Sequence, residues 1–446
     1  MIFTFIRYTR PSWQFNLLPK TKNAFASCYV SAADCPANFL DNRYQTESAK
    51  LADAGYRLFF KGVLLQSTQE EIKQLNQLQK PSLRDEYIFI RKYWGSVWAM
   101  YTLLIRLITF KNPFEEVAQF IATKKVKKIN VHAELFVDKS YTAFQSQLIG
   151  SNPLVAVIIP TLNRYKYLKD VLTDLEKQTY TNFEVIIVDQ TDDFQQTFYD
   201  GYNLNIKLIR QEEKLLWTAR NNAVKNTTAQ YLLFFDDDSR VEPGWIHEHL
   251  KCIDFFNADI SAGVSFSTSG GKISESYNYF RWADQFDSGN ALIKRSVMQQ
   301  IGMFDEQFNG QRMGDGEFGY RAYINGIKSI SNPNAFRVHL KVSSGGLREM
   351  GSWDGFRPTK WFAPKPLPSV LYLYEKYLPQ ALFRNAVFMG IMLSNVSYRH
   401  KGKSKMLAVS ILLGIIKSPL LFIQYYRSTQ IAERMLCNAI PPEILE

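Results

Sequence analysis

Cysteine is scarce in this chain. The 446 residues hold four, Cys28, Cys35, Cys252 and Cys437, scattered and without a CxxC pair. Neither a zinc site nor a disulfide framework is indicated, and the pattern fits reduced thiols in a cytoplasmic protein. Acid is in deficit too: 42 Asp and Glu against 53 Lys and Arg leave a net charge of +11. A basic balance implies anionic partners. No block of Lys and Arg and no nucleic-acid motif concentrates that charge, which favours phosphates and lipid and argues against nucleic acid. Long apolar runs are missing as well. The start, Met1 to Arg7, is too short for a signal peptide, and Val97 to Phe110 is interrupted by Arg106. Met406 to Tyr426 is broken by Lys417, Ser418 and Pro419 into pieces too short for a bilayer core of about 30 Å. It reads as a helix pair lying on a membrane or packed on the protein. Lys401, Lys403, Lys405, Arg384 and Arg399 lie near it, so a membrane surface is a candidate partner, on the inner face of the cell membrane.

What is present describes an ordered globular protein: 46% hydrophobic and 14% aromatic residues, enough for two or three domains. Residues 1–150 read as an accessory α/β region with helices near Thr68–Gln79 and Glu115–Lys125 and strands at Arg57–Phe60 and Tyr87–Ile90. They carry no catalytic motif. Residues 151–350 are different. Leu154 to Pro160 is a buried strand by its β-branched content and its Pro stop. Tyr167–Gln178 has helical spacing, Phe183–Asp189 is a second strand, Asn205–Ile209 a third, and Thr218–Asn226 a helix before the strand Tyr231–Phe235. A short strand at Ser288–Ile293, a helix opening at Gly314 and ending at Gly326, and a strand Ala335–His339 follow. Strands alternating with helices predict an α/β fold with a mostly parallel sheet. Residues 351–446 read as a helical C-terminal region.

The chemistry concentrates at Asp236, Asp237 and Asp238, directly after a strand. Three adjacent carboxylates repel and raise one another's pKa unless a cation or hydrogen-bond donors hold them ionised. An oxygen-rich cluster at a strand's carboxyl end suits Mg²⁺ or Mn²⁺, and it is where open α/β sheets place ligands.

Six motifs in order resemble the inverting family-2 glycosyltransferases with the GT-A fold. They are Val157 to Arg164, Val188-Asp189 with Asp192, Thr218 to Ala223, Phe235 to Asp238 followed by Pro243-Gly244-Trp245, Gly289 to Arg295 followed by Ile301 to Glu306, and Gly314 to Glu317 with Arg321. The resemblance covers about 153–345. It implies a GT-A-type sheet flanked by helices and a nucleotide-diphosphate sugar as donor. It also implies a glycan or lipid-linked acceptor of the kind met in cell-surface polysaccharide synthesis. A divalent cation, Mn²⁺ or Mg²⁺, would stabilise the charge growing on the departing diphosphate.

Residue by residue, the resemblance implies Asp238 as metal ligand with His339 as a second, and Asp236 and Asp237 beside the donor. Asp189 would accept from a uracil or thymine imide N–H. Pro160, Thr161 and Leu162 would line the base pocket, and Arg220 would lie near the base or diphosphate. Asp315 would be the base that deprotonates the acceptor hydroxyl, with Glu317 as rival. Inversion needs one displacement and no enzyme nucleophile. The family's Glu before the catalytic Asp is Gly314 here, and its second Asp after Asp189 is Gln190. Ser343 to Gly346 with Arg348, and Trp353 to Trp361, are candidates for a lid. Two alternatives stand beside this reading. A sugar nucleotidyltransferase needs a Gly-rich phosphate loop that Pro160 to Arg164 lacks, and a non-catalytic nucleotide- or glycan-binding scaffold has no need of the intact Asp triplet.

Overall fold

The computed structural model describes all residues except 1, 21–22, 25–34, 134, 137–138, 268–273, 343–344, 348–354, 359 and 398–404. Two compact units emerge. One gathers Met1–Phe136 with Ser352–Asn438, the other Val137–Gly351 with Ala439–Glu446. Packing therefore joins the chain's first and last parts, which chain order alone separates.

The second unit is built on a nine-stranded sheet. Its strands are β1 (Val155–Thr161), β2 (Phe183–Asp189), β3 (Ile206–Arg210), β4 (Tyr231–Phe235), β5 (Ser239–Arg240), β6 (Ile260–Ser267), β7 (Arg281–Trp282), β8 (Asn290–Lys294) and β9 (Ser329–His339). The order is β3-β2-β1-β4-β8-β6-β9-β5, with β7 paired to β9. β1 pairs in parallel with β2 and β4, and β2 with β3. β8 is antiparallel to both β4 and β6, and β9 runs parallel to β6. All seven residues of β1 are buried, as a strand covered on both faces requires. Each of its aliphatic side chains contributes about 1.5–3 kcal/mol by burial. At the edge, β3 alternates towards solvent and carries Lys207 and Arg210, charges that discourage further pairing.

Helices α1 (Tyr165–Leu175), α2 (Leu216–Lys225), α3 (Trp245–Phe255), α4 (Arg295–Ile301) and α5 (Gly314–Ile324) connect these strands. The spacing of Leu168, Val171, Leu172 and Leu175 puts all four into the core beneath α1. Gly302 ends α4 at φ +85° and Gly326 follows α5 at φ +76°, left-handed positions that glycine fills without strain. The mixed α/β expectation holds.

The first unit is mainly helical. Among its described residues the strands are Asn23–Ala24 and Ser67–Thr68, two residues each. Arg57–Phe60 and Tyr87–Ile90, expected as strands, lie instead in the helices Glu47–Phe60 and Leu83–Tyr93. The reason is tertiary. Tyr87, Ile88, Phe89 and Ile90 are all buried, so no polar face marks the helical period. The start signal was local: Ser82 and Asp85 form a reciprocal capping box. Among the described residues no single helix is long and apolar enough to cross a membrane. The Met406–Tyr426 run does break at Lys417, where its two helices meet at 82°.

Candidate active site

β1 and β4 are neighbours, yet the chain leaves them in opposite directions, β1 towards β2 and β4 towards the antiparallel half. Open α/β sheets bind ligands outside such a switch point. Here it opens a cleft of about 330 Å³ lined by Pro160, Leu162, Arg164, Trp217, Arg220, the triplet Asp236 to Asp238, Asp287, Asp315, Arg337 and His339, among others. β9 brings the last two. Its register shifts between Asn332 and Arg337, after which His339 pairs across to Ser239 on β5. Arg337 and His339 are two apart on one strand and therefore share a face. Arg240 on β5 is fixed to α1 by a forked bond to Asp174 at 2.6 and 2.8 Å.

The three adjacent aspartates have three different environments. Asp236 accepts from Arg220 Nη2 at 3.0 Å and from Arg337 Nη1 at 2.7 Å. Burial pushes its carboxyl up, but the two guanidiniums outweigh it and hold the group well below the usual carboxylate range. Asp237 accepts from Thr161 Oγ1 and Arg164 Nη1, each at 2.8 Å. There burial wins, and the carboxyl is raised to about 6. Asp238 lies 3.2 Å from His339 Nε2 and 3.5 Å from Arg164 Nη1. Burial raises this group too, and the His339 hydrogen bond and nearby positive charge bring it below its ordinary value.

Asp236, Asp238 and His339 each offer a ligand atom, all within 4.8 Å of one another. Carboxylate oxygens with one imidazole suit Mn²⁺ or Mg²⁺. The arginines already hold both oxygens of Asp236, which leaves Asp238 and His339 as the better-placed pair.

Also lining the cleft, Asp315 sits at the start of α5 and accepts from the Ser288 N–H at 3.0 Å. Burial, then the neighbouring Asp287, raise its carboxyl above the ordinary range. Met313, just before the helix, adopts φ +78°, a strained conformation for a residue with a Cβ and of the kind that clusters at functional sites. Glu317 does not line the cleft. It is buried and forked onto Arg321 at 3.0 and 2.8 Å, while Arg321 also donates to the Ile301 and Gly302 carbonyls. That pair ties α5 to α4.

Asp189 is fully buried. Its oxygens accept from the Thr191 N–H at 2.8 Å, Tyr165 Oη at 2.6 Å and Tyr199 Oη at 2.7 Å. Thr161 is buried behind Asp237, while Pro160 and Leu162 line the cleft. Of the lid candidates, Ser343, Ser344, Arg348 and Trp353 lie outside the described residues. The Gly346 N–H donates to the Leu162 carbonyl at 2.8 Å, and a Cβ there would meet the Arg164 guanidinium at 2.4 Å.

Sequence reasoning assigned no role to Arg337, Asp287, Arg164 or Trp217. Arg337 is the hub: besides Asp236 it donates to Ser239 Oγ at 2.9 Å, to Ser265 Oγ at 2.8 Å and to both Asp287 oxygens at 3.0 Å. Gly289 is required beside it, since a Cβ would lie 2.1 Å from Asp236 Oδ2. The signal available in the sequence was the i, i+2 spacing of Arg337 and His339.

Residues 156–316 match glycosyl transferase family 2. Glycosyltransferase AglE of Haloferax volcanii is 29% identical over 165 residues, covering 35% of this chain and 53% of that protein. Chondroitin synthase of Escherichia coli is 31% identical over 212 residues, covering 45% and 28%. A PGL/p-HBAD biosynthesis glycosyltransferase of Mycobacterium bovis is 26% identical over 208 residues, covering 45% and 78%. The chain thus spans about half or less of the first two relatives' lengths. Among solved structures, a mannosyltransferase from Pyrobaculum calidifontis in complex with GDP-Man and Mn²⁺ is similar at 14% identity and a TM-score of 0.42, covering 67% of this chain and 92% of that one.

Proposed function

We propose, from the match of residues 156–316 to glycosyl transferase family 2, that the protein is a metal-dependent inverting glycosyltransferase. It takes a nucleotide-diphosphate sugar as donor and a glycan or lipid-linked molecule as acceptor, in the building of cell-surface polysaccharide. The observation that carries this is one cleft lined together by Asp238, His339 and Asp315.

Asp238 and His339 would hold Mn²⁺ or Mg²⁺, which supplies positive charge against the diphosphate. Asp315 accepts the proton of the acceptor hydroxyl as that oxygen bonds to the anomeric carbon. The bond from that carbon to the diphosphate breaks, and its electron pair leaves on the phosphate oxygen. A base works only when ionised, and a raised pKa brings Asp315 nearer neutral pH, where proton transfer is most efficient. Arg220 and Arg337 hold Asp236 rigid, and Trp217 offers an apolar face for a sugar ring beside Asp315. Pro160 and Leu162, which line the cleft, would hold the nucleotide base. A UDP- or dTDP-type donor rests on Asp189 at the end of β2. For its carboxylate to meet an imide N–H, the half-buried Tyr165 must give way.

Thermal unfolding against UDP, dTDP, GDP, ADP and CMP, each with and without Mn²⁺, tests this reading. Ligand at about 100 times its Kd adds roughly 2.7 kcal/mol, a shift of several degrees. A Mn²⁺-dependent shift with UDP or dTDP is the expected outcome. No shift with any nucleotide in folded protein sinks the donor site and favours the scaffold alternative.

A further inference from the structure

The first unit holds a second cavity, of about 510 Å³, whose lining among the described residues includes Arg357, Lys360, Lys365 and Lys417 and no Asp or Glu. Neutral oxygens set two of these cations in place. Arg357 Nη2 donates to the Leu393 and Val396 carbonyls, each at 3.1 Å, and Lys365 Nζ to Asn395 Oδ1 at 3.4 Å. Lys365 is buried.

Lys417 also marks the 82° bend between the helices Lys405–Ile416 and Ser418–Cys437. The residues flanking that bend are apolar and turned to solvent: Ile416 is 66% exposed and Phe422 70%, and Trp361 in the cavity wall is 78% exposed. The sequence segregates charge over the same stretch. From Lys376 to Ala432 there is no Asp or Glu, against eight Lys and Arg. A cationic cavity beside an exposed apolar corner is complementary to the surface of an anionic bilayer, where phosphate lies directly above the acyl boundary.

We propose that this cavity binds the phosphate of an anionic phospholipid headgroup while Ile415, Ile416 and Phe422 enter the acyl boundary. The first unit is then a membrane-surface module lying in the plane of the bilayer. This deepens the reading above, because it supplies the membrane contact that a lipid-linked acceptor requires. Its readout needs no donor and no sugar transfer, so either reading can fail alone.

The full-length protein is floated with vesicles of phosphatidylcholine alone and of phosphatidylcholine mixed with phosphatidylglycerol. Binding to the mixed vesicles and not to phosphatidylcholine is expected. Lys360→Glu with Lys417→Glu, both exposed and so compatible with folding, should weaken binding about 30-fold or more, at roughly fivefold per cation removed. Ile416→Glu with Phe422→Glu should abolish it with thermal unfolding unchanged. Equal binding to neutral vesicles, no binding to either, or full binding by the lysine variant overturns the proposal. So does stabilisation by inorganic phosphate without vesicle binding, which reassigns the cavity to a soluble ligand. A dimer that the Ile416→Glu, Phe422→Glu protein loses, with no vesicle binding by the wild type, gives the corner to a second copy and also overturns it.

Discussion

Replacing Arg337 with Met tests whether the cleft is held by its charge network or by the strands around it. The side chain is 2% exposed and is shared between Asp236 and Asp287. Met keeps the apolar length and removes five donors. Breaking one side of a buried ion pair costs about 3–5 kcal/mol. Both aspartates keep 26% of their side chains exposed, and Asp236 retains Arg220. Water and that second arginine therefore offset part of the loss, and the low end of the range, about 3 kcal/mol, applies. For a unit of this size that is a fall in Tm of roughly 6–12 °C. The pH dependence has a definite sign. Asp236 is held below its unfolded value in the wild type. Its stabilising contribution is therefore complete above the ordinary carboxylate range and is lost as pH falls through the depressed folded value. Arg337→Met removes much of that contribution. The gap between the two proteins should be widest at neutral pH, begin to narrow only below about pH 4, and close as pH falls through the depressed folded value. Melting curves followed by circular dichroism across that range measure it. A variant that melts within about 2 °C of wild type at neutral pH, or a gap that widens on acidification, would refute the argument.

The other predictions address the chemistry. Asp238→Asn and His339→Ala should each remove the Mn²⁺-dependent part of nucleotide stabilisation while leaving the melting temperature without ligand within a few degrees; calorimetric titration that still shows Mn²⁺ enhancement would exclude the pair as ligands. Asp315→Asn should lower sugar transfer by about 10²–10⁴-fold with nucleotide binding intact. In the wild type the acid limb of kcat/KM should lie above the ordinary carboxylate range, activity rising with pH, because burial and Asp287 raise the Asp315 carboxyl. Glu317→Gln should instead cost stability, about 3 kcal/mol, by removing the carboxylate charge that faces buried Arg321, while activity per folded molecule survives. The opposite pattern in that pair would make Glu317 the base. Gly314→Ala places a Cβ 2.2 Å from the Trp217 ring and should destabilise by about 1–3 kcal/mol, a loss that a smaller residue at 217 relieves.

Much of this site was legible because its parts are local. Strand, turn and carboxylate lie within eight residues at Tyr231 to Asp238, and the period-2 and period-3.6 patterns of β1 and α1 needed no tertiary information. What was not legible depends on distant pairings. Arg337 meets Asp236 across 101 positions and Arg164 meets Asp237 across 73. No spacing rule reaches that far. The misread strands in the first unit failed for a related reason: packing on all sides erased the polar face that a helical period needs.

The two departures from the family pattern, Gly314 and Gln190, acquire physical reasons in the structure. No side chain fits at 314, because the Trp217 indole occupies that space and is pinned there by its N–H to the Phe308 carbonyl at 3.0 Å. Gln190 accepts from the Leu215 N–H at 2.7 Å and from Gln211 Nε2 at 3.2 Å, which staples the end of β2 to the start of α2. A carboxylate at 190 would accept the same bonds but would place a second buried charge next to Asp189. Each departure therefore exchanges a charge for a fixed neutral contact. The wall beside Asp315 becomes aromatic, and the end of β2 keeps a single buried carboxylate, Asp189, whose oxygens accept from two tyrosine hydroxyls and a backbone N–H. Under the proposed function, specificity at both ends should follow shape and stacking more than charge, and the nearby negative charge that raises the Asp315 carboxyl comes from Asp287.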